Sequence, residues 1–367
     1  MLKGLADAEV VLVNFKQGNI VIYKYIWLDG YAPEQHLRSK IQVAEQHGIL
    51  GTNDQPPVWS FDGSSTKQAT GGQSDCVLNP VGSYRAPSNK REFIGNQATL
   101  VMCEVLDSDN MPHESNTRRE CQEFIGEEWW FGFEQEYFFY QDGEPLGWKK
   151  FTDQGKNPDP QGQYYCAVGS ANVAGREISE RHLKACLQAG IKLTGTNAEV
   201  ALGQWEYQCL GQGTRAADDL WISRYLLCEI AEEYGVDVVL HPKPKFGDWN
   251  GSGMHTNFSN EEMRTEGSEA LMEEICQKLG NRHEVGIAEY GSDNDKRLTG
   301  LHETQDIAIF SYGISDRGAS IRIPIYTVQH DWNGYLEDRR PAASADPYRI
   351  IKHIVETVET SESYWMT

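Results

Sequence analysis

The sequence contains few cysteines for its length and no ordered arrangement of them. Its eight cysteines among 367 residues include no Cys-x-x-Cys pair and follow no regular spacing. In a long chain with ample apolar content, this indicates reduced, buried thiols rather than a disulfide framework. The sequence also lacks an apolar run of membrane-spanning length, and its start lacks the apolar block and cleavage site of a signal peptide. We therefore expect a cytoplasmic protein that is not inserted in a membrane.

Basic residues are likewise few. Lys and Arg total 33 against 54 Asp and Glu, which gives a net charge of −21. Because such a charge repels nucleic acid and anionic membranes, neither is an expected partner. An anionic small substrate requires arginines or metal ions that are gathered locally.

Common catalytic signatures are absent from the sequence, which has no P-loop, nucleophile elbow or kinase signature, and no internal repeat. Its first hundred residues have mostly strand and turn patterns, with one short helical pattern over residues 34–47 that ends at Gly48. From residue 114 longer helical patterns alternate with strands, and LDSDNMPHESN is the best candidate linker. This order predicts a small β-rich domain followed by a larger α+β domain.

The run WWFGFEQEYFFY at residues 129–140 places two carboxylates in an aromatic strand pattern. Because strand side chains alternate between faces, Glu134 and Glu136 share one face and lie roughly 7 Å apart. At an effective dielectric near 20, their repulsion costs about 2 kcal/mol. Two explanations are open at this point: Arg or Lys side chains opposite the strand, which is the commoner arrangement, or a bound divalent cation.

Further residues of metal-ligating type occur in three later segments. Glu199 and Glu206 lie in TGTNAEVALGQWEYQ, where two strand patterns joined by a turn bring them to one face of a sheet. His255 follows a glycine-rich turn in WNGSGMHTNFS, and Glu337 precedes two arginines in YLEDRRP. Each signal is weak alone, since a single histidine is more often structural. Together the carboxylates and the imidazole suit two or three hard divalent cations, Mg²⁺ or Mn²⁺ rather than zinc.

Arginines cluster in the last quarter of the chain, at positions 297, 317, 322, 339 and 340. In an acidic protein, guanidinium groups gathered among glycines and apolar residues indicate binding of carboxylate or phosphate. The alternative is that they pair with the surface excess of acids. The pattern GASIRIP favours the first explanation, because it predicts a buried strand rather than a solvated face.

The segment GQGTRA at residues 211–216 matches the dinucleotide-binding fingerprint. It opens a helix, and Asp237 follows at a distance suited to an acid that binds ribose. This alternative is a nicotinamide-dependent oxidoreductase. Two features count against it: the preceding segment carries Glu206, and no regular series of βαβ units follows.

Seven motifs, in order and in register, resemble glutamine synthetases of the type II, eukaryote-like branch over about residues 20–350. The motifs are WSFDGSSTKQA, FGFEQEYFFY, TGTNAEVALGQWEYQ, NGSGMHTNFS, RLTGLHET, DRGASIRIP and YLEDRRPAASADPY. The resemblance implies an α+β chain, with a small N-terminal β-grasp domain (residues 1–106) and a larger catalytic α/β domain (107–367) that contains a curved antiparallel sheet. It also implies a homo-oligomer of stacked rings, a decamer, with active sites between neighbouring subunits.

The resemblance further implies the reaction and the metal ligands. ATP would phosphorylate the γ-carboxylate of L-glutamate, and ammonia would then displace phosphate to give L-glutamine. By motif, the ligands of one metal ion would be Glu136, Glu199 and Glu206. Those of the other would be Glu134, His255 and Glu337.

Substrate and catalytic residues carry over in the same way. The residues implied to bind glutamate are Asn250, Gly251, Arg297, Arg317 and Arg339. Those implied to bind ATP are Trp130, Ser259, Arg322 and Tyr335. Arg317, Arg322 and Arg339 would also stabilise the transferring phosphoryl group. Asp62, reaching from a neighbouring subunit, would take a proton from ammonium, and Glu303 would lie on a flap that keeps water from the acyl phosphate.

The chain departs from the family pattern in three places. YQCLGQGTRAADD differs after the second carboxylate pair, IPIYTVQHDWNGY lacks basic residues that many relatives carry, and the N-terminus is short. A bacterial member of the branch would account for all three, and the adenine pocket around residues 208–217 stays open. Two rival functions are a γ-glutamyl ligase for another amine and a catalytically silent relative. Asp62 and Glu303 argue for ammonia, and the complete set of metal and arginine positions argues against a silent relative.

Overall fold

The structure is a computed structural model that describes residues 20–45, 55–87, 98–160 and 162–360. Within these ranges the chain forms two β-sheets. The first contains β1 (Ile20–Leu28), β2 (Leu37–Glu45), β3 (Trp59–Asp62), β4 (Asp75–Arg85) and β5 (Ala98–Leu106). Their order is β2-β1-β5-β4-β3; β1 and β5 run parallel, and the other neighbours are antiparallel. This mixed sheet agrees with the expected β-grasp fold.

Strand β2 stands where the sequence predicted a helix over residues 34–47, so that prediction is wrong. Leu37 and Ile41 have helical spacing, but β2 pairs with β1 in antiparallel register along its whole length. Pairing with a buried strand outweighs local periodicity, particularly where β-branched residues such as Ile41 and Val43 favour the extended chain. The predicted helix end at Gly48 lies outside the described residues.

The second sheet is larger and curls into a half-barrel. Its strands are β6 (Trp130–Gln141), β7 (Glu144–Pro145), β8 (Lys192–Ala198), β9 (Gln204–Gln212), β10 (Asp237–Val239), β11 (Met254–Ser259), β12 (Tyr312–Ile314), β13 (Ile321–Ile323) and β14 (Leu336–Asp338). The main order is β12-β13-β14-β11-β6-β9-β8, with β7 and β10 also paired to β6. Only the β12–β13 pair is parallel among these described strands. The curved antiparallel sheet that the resemblance implies is therefore present.

Helices pack around the two sheets. They are α1 (Thr117–Gln122), α2 (Lys149–Thr152), α3 (Arg176–Ala189), α4 (Arg215–Glu233), α5 (Glu261–Thr265), α6 (Glu269–Asn281), α7 (His283–Glu289), α8 (Ile325–Gln329) and α9 (Pro347–Glu359). Helix α3 ends at Gly190 in the left-handed conformation, as its sequence pattern predicts. None of the helices in the described ranges combines the length and apolarity needed to cross a bilayer.

Strand β6 separates the core from the opposite face of the large sheet. Phe131, Phe133 and Tyr137 are fully buried in the main apolar core, which also contains residues of α4 and of the smaller sheet. Glu134 and Glu136 alternate with these aromatics and line a cavity instead. The alternation predicted for this strand is therefore present, and it places both carboxylates on one face.

Candidate active site

Five neighbouring strands of the large sheet bring the polar residues together, in the order β14-β11-β6-β9-β8. Glu134 on β6 lies directly opposite His255 on β11, and Glu136 lies opposite Glu206 on β9. Glu199 directly follows β8, so the turn between β8 and β9 brings it beside Glu206 as the sequence predicted. These side chains and several arginines line one cavity of about 330 Å³.

Glu134, His255 and Glu337 form a compact group, here called the His255 cluster. The Nδ1 atom of His255 lies 3.6 Å from Glu134 Oε2 and 3.7 Å from Glu337 Oε1. One ligand atom from each residue lies within 4.8 Å of the others. Burial, followed by the charge of Arg339, lowers the pKa of His255 well below its usual value. The neutral imidazole that results is the form that binds a metal ion.

Glu136, Glu199 and Glu206 form a second group, here called the triple-glutamate cluster. All three are buried, and in the described part of the chain no Lys or Arg nitrogen lies within 4 Å of their carboxylates. Their hydrogen-bond donors are neutral; for example, the Gly253 backbone N–H donates to Glu136 Oε2 over 2.7 Å. Burial and then the neighbouring carboxylates raise the pKa values of Glu199 and Glu206.

This arrangement bears on the two explanations that the sequence left open for strand β6. The ion-pair explanation requires a basic side chain against the carboxylates, and the triple-glutamate cluster has none among the described residues. Burial raises the pKa of Glu136 to about 7, although the charges of Arg297 and Arg339, both beyond 4 Å, lower it. A divalent cation would supply the close counter-charge that the three carboxylates lack, since carboxylate oxygens are its usual ligands.

Arginines also line the cavity and contact the His255 cluster. Arg322 Nη1 donates to Glu337 Oε2 over 2.7 Å, and Arg339 Nη1 donates to Glu337 Oε1 over 2.5 Å. Arg297 is buried, and its Nη2 donates to the backbone oxygen of Arg339 and contacts His255 Nε2 at 3.2 Å. The cavity therefore places fixed positive charge next to the His255 cluster, an arrangement suited to a phosphate or carboxylate ligand.

Comparison with known proteins gives the same family as the seven sequence motifs, over nearly the whole chain. The family model described as glutamine synthetase, catalytic domain, matches residues 117–279, and that described as glutamine synthetase, beta-Grasp domain, matches residues 19–108. The glutamine synthetase of Bradyrhizobium diazoefficiens is 50% identical over 92% of this chain and 96% of its own length. That of Emericella nidulans is 46% identical over 94% of each chain.

The chain belongs to the glutamine synthetase family. The resemblance seen in the seven motifs is thereby confirmed. The relatives of this chain include bacterial and fungal glutamine synthetases. The glutamine synthetase of Rhizobium meliloti is 49% identical over 89% of this chain. The relatives that match most of the chain are glutamine synthetases, which are ligases, so the chain is an enzyme of this family and the nicotinamide-dependent oxidoreductase is not supported.

The structure also explains why the dinucleotide fingerprint misleads. Strand β9, which includes the first two residues of GQGTRA, is antiparallel to both of its neighbours. Asp237 begins β10, which is antiparallel to β6. In the described part of the chain, no parallel βαβ unit surrounds the segment. A Cβ atom on Gly211 would lie 2.5 Å from the Cα atom of Ala216 in helix α4. The glycine therefore permits close packing of the chain on itself.

The predicted flap residue lies at the mouth of the cavity. Glu303 and the preceding His302 both have left-handed backbone conformations, with φ of 59° and 56°. The backbone oxygen of Glu303 accepts a hydrogen bond from Arg339 Nη2 over 3.3 Å, and its carboxylate lies 3.7 Å from Arg317 Nη1. Asn250, Gly251 and the six predicted metal ligands line the same cavity.

Four predicted site residues do not line this cavity. Trp130 and Ser259 pair with each other at one end of β6 and β11, and Trp130 stacks beneath Arg264 at 4.2 Å. Tyr335 is half-buried, and the charges of Glu134 and Glu337 contribute to the rise in its pKa after burial. Asp62 is exposed at the end of β3 in the smaller sheet, where it accepts hydrogen bonds from Ser64 and Ser65.

Gly251 has a neighbour that the sequence did not predict. A Cβ atom there would lie 2.5 Å from the backbone oxygen of Pro242 and 2.8 Å from Arg297 Cγ. At Gly253 an added Cβ would lie 2.3 Å from Arg297 Nη2. Both glycines therefore make room for the buried Arg297 side chain.

Sequence reasoning missed the amide side chains that contact the carboxylates. Asn257 Nδ2 donates to Glu134 Oε1 over 2.8 Å, and Asn197 Nδ2 donates to Glu199 Oε1 over 2.9 Å. Gln208 Nε2 donates to Glu206 Oε1. A signal was present for Asn197 and Gln208, because each lies two residues from a glutamate in or beside a strand and so shares its face.

Proposed function

We propose that the chain catalyses the ATP-dependent ligation of ammonia to the γ-carboxylate of L-glutamate through γ-glutamyl phosphate, giving L-glutamine, ADP and phosphate. The observation that carries this proposal is the single face of strand β6, where Glu134 and Glu136 each belong to a different ligand cluster beside a row of arginines. Two adjacent cation sites next to fixed guanidinium groups suit phosphoryl transfer to a carboxylate.

The donor sets fit hard divalent cations. We assign Glu134, His255 and Glu337 to one ion and Glu136, Glu199 and Glu206 to another, with two to three Mg²⁺ or Mn²⁺ ions per site. Five carboxylates with one imidazole favour these ions over zinc. When bound, the ions neutralise charge on the phosphoryl oxygens.

The arginines supply the remaining positive charge. Arg317 and Arg339 stabilise the transferring phosphoryl group and, with Asn250, Gly251 and Arg297, bind glutamate. Backbone oxygens of Arg339 and Arg340 hold Arg297 in place, so its charge is fixed before the substrate arrives. A preorganised guanidinium needs little rearrangement to bind a carboxylate.

The nucleotide is proposed to extend from the His255 cluster toward the start of β6, where Trp130 pairs with Ser259. Arg322 and Tyr335 are next to the His255 cluster, and Trp130 and Ser259 lie farther along β6 and β11. The phosphates would therefore contact Arg322 near the metal ligands. Trp130, which is 45% exposed, would contact the adenine ring.

Asp62 completes the site from a neighbouring subunit in this proposal. Its carboxylate is exposed in the smaller sheet and does not line the cavity of its own chain. Hydrogen bonds from Ser64 lower its pKa, which keeps it ionised and able to attract ammonium before it accepts a proton. We accordingly propose a ring-forming homo-oligomer, a decamer, and a division of each chain into residues 1–106 and 107–367.

The test is steady-state phosphate release from ATP and Mg²⁺ with glutamate alone, and then with ammonium added. We expect a large ammonium-dependent increase and one glutamine per phosphate. A response to methylamine or a polyamine without a response to ammonium would contradict the proposal in favour of another γ-glutamyl ligase. Absence of turnover with every amine would contradict it in favour of a silent relative.

A further inference from the structure

A continuous row of amide side chains joins two members of the triple-glutamate cluster. Asn197 Nδ2 donates to Glu199 Oε1 over 2.9 Å, and Asn197 Oδ1 accepts from Gln208 Nε2 over 3.2 Å. The same Gln208 nitrogen donates to Glu206 Oε1. Two neutral residues therefore connect two carboxylates through three hydrogen bonds.

A glycine on strand β8 makes room for this row. Gly195 lies opposite Gln208, next to an irregularity in the β8–β9 register. A Cβ atom at Gly195 would lie 2.4 Å from Gln208 Oε1. Since such a contact cannot be accommodated without movement, an alanine there would displace the glutamine side chain. The sequence TGTNAEVALGQWEYQ thus contains both the row and the space that it occupies.

The row selects which oxygen of each carboxylate is engaged. Glu199 Oε1 accepts from Asn197 and its Oε2 accepts from the backbone N–H of Val200 over 3.1 Å. For Glu206, Gln208 engages Oε1, and in the described ranges no hydrogen bond to Oε2 is found. Donors fixed by their neighbours restrict rotation of a carboxylate and so hold it ready for a cation.

We propose that Asn197 and Gln208 are positioning residues that hold Glu199 and Glu206 as one unit for a divalent cation. This inference rests on the proposed function, because it assigns a cation to the triple-glutamate cluster. Neither residue touches the reacting atoms. Amides suit this position because they donate to the carboxylates without adding a positive charge that a cation would have to displace.

The connected row makes a specific prediction about pairs of substitutions. If either amide is lost, the other keeps only part of its support, so both glutamates gain rotational freedom. The effects of the two losses on cation affinity should then be far from additive. Two independent contacts would instead give effects that multiply.

The experiment is a Mn²⁺ titration of the full-length chain, followed by the electron paramagnetic resonance signal of free Mn²⁺. The variants are Asn197→Leu, Gln208→Leu and the double variant, and Asn257→Leu is the matched control because it supports Glu134 in the His255 cluster. We expect each single variant to weaken one class of Mn²⁺ sites by about 10- to 100-fold. The loss of Mn²⁺ affinity in the double variant should be no greater than about that of the more affected single variant. Asn257→Leu should instead weaken Mn²⁺ binding at the sites of the His255 cluster.

Smaller neutral variants keep the test decisive if the leucine variants fail to fold. Asn197→Ala and Gln208→Ala remove the donated hydrogen bond without adding charge and should weaken Mn²⁺ binding at the same class of sites. Gly195→Ala should do so without changing any member of the row. At saturating Mn²⁺, kcat for glutamine formation should stay within about threefold, while the Mn²⁺ concentration at half-maximal rate rises by the loss in affinity.

Three results would overturn the inference. They are unchanged Mn²⁺ affinity in folded variants, weakening of both classes equally, and effects that multiply in the double variant. Failure of the proposed function is distinct, because the unmodified chain would then show no ammonium-dependent glutamine formation.

Discussion

At the scale of single residues, His302 and Glu303 show how the cavity mouth is held. Neither is glycine, yet both have left-handed backbone conformations. Each such conformation costs about 1–3 kcal/mol and persists only where contacts with the surrounding structure offset that cost. Here Arg339 binds the backbone oxygen of Glu303, and Arg317 lies beside its carboxylate. The same arginines that we assign to the phosphoryl group therefore also contact the proposed flap residue.

Glu303→Ala tests whether this contact protects the acyl phosphate. We expect the ratio of phosphate released to glutamine formed to rise several-fold above one, because the mouth loses the side chain that pairs with Arg317 and water enters. Both products would be measured in the same reaction. The control is Glu180→Ala on the exposed face of helix α3, which should leave the ratio at one, and an equal ratio in both variants would contradict the flap role.

At the scale of elements, the contact between strand β9 and helix α4 depends on Gly211. Gly211→Ala would place a Cβ atom against the Cα, Cβ and N atoms of Ala216, all within 3.0 Å. Backbone cannot move aside as a flexible side chain does, so we expect a loss of about 1–3 kcal/mol in the free energy of unfolding. Urea unfolding measures this loss.

Gly71→Ala is the matched control, since an added Cβ there meets no atom within 4 Å. Its free energy of unfolding should change by no more than about 0.5 kcal/mol. If Gly211→Ala were as stable as Gly71→Ala, the packing role of Gly211 would be wrong.

Local patterns predicted some elements of the site and missed others for physical reasons. The period of two in β6 was sufficient to place Glu134 and Glu136 on one face, because alternation depends only on the strand itself. The helix predicted over residues 34–47 failed because pairing with β1 lies outside the local pattern. In the same way, the contact of Gly251 with Arg297 joins residues far apart in the chain.

At the scale of the whole molecule, buried histidines make stability depend on pH. Burial lowers the pKa of His182, which lies in helix α3 and faces helix α4, from 6.5 to about 4, and it lowers that of His353 in α9 to about 3. Between these values and 6.5 the unfolded chain binds protons that the folded chain does not. Through these two histidines the free energy of unfolding falls as pH falls below 6.5. Burial raises the pKa values of Glu199 and Glu206 to about 8 and about 9, and these two groups contribute with the opposite sign.

His182→Gln isolates one of these protons. The amide can donate to the backbone oxygen of Ser223, as the ring Nε2 does over 3.0 Å, but it does not titrate. Urea unfolding from about pH 7 to about pH 5, with a chelator present, should show a slope smaller by up to about 1.4 kcal/mol per pH unit. Gln188→Ala on the exposed face of helix α3, which removes no titrating group, should keep the full slope. Parallel curves for His182→Gln and the unmodified chain would contradict the prediction.

Strand β6 carries one glutamate of each ligand cluster, two residues apart, with buried Gln135 between them and core aromatics on either side. In genetic terms, the site therefore depends on whether a change in strand length is odd or even. Deleting one codon between those for Trp130 and Glu134 would turn both glutamates toward the helices and aromatic rings toward the cavity. Deleting two codons would restore their direction. Small in-frame deletions in this segment should thus alternate in severity with the parity of the residues removed.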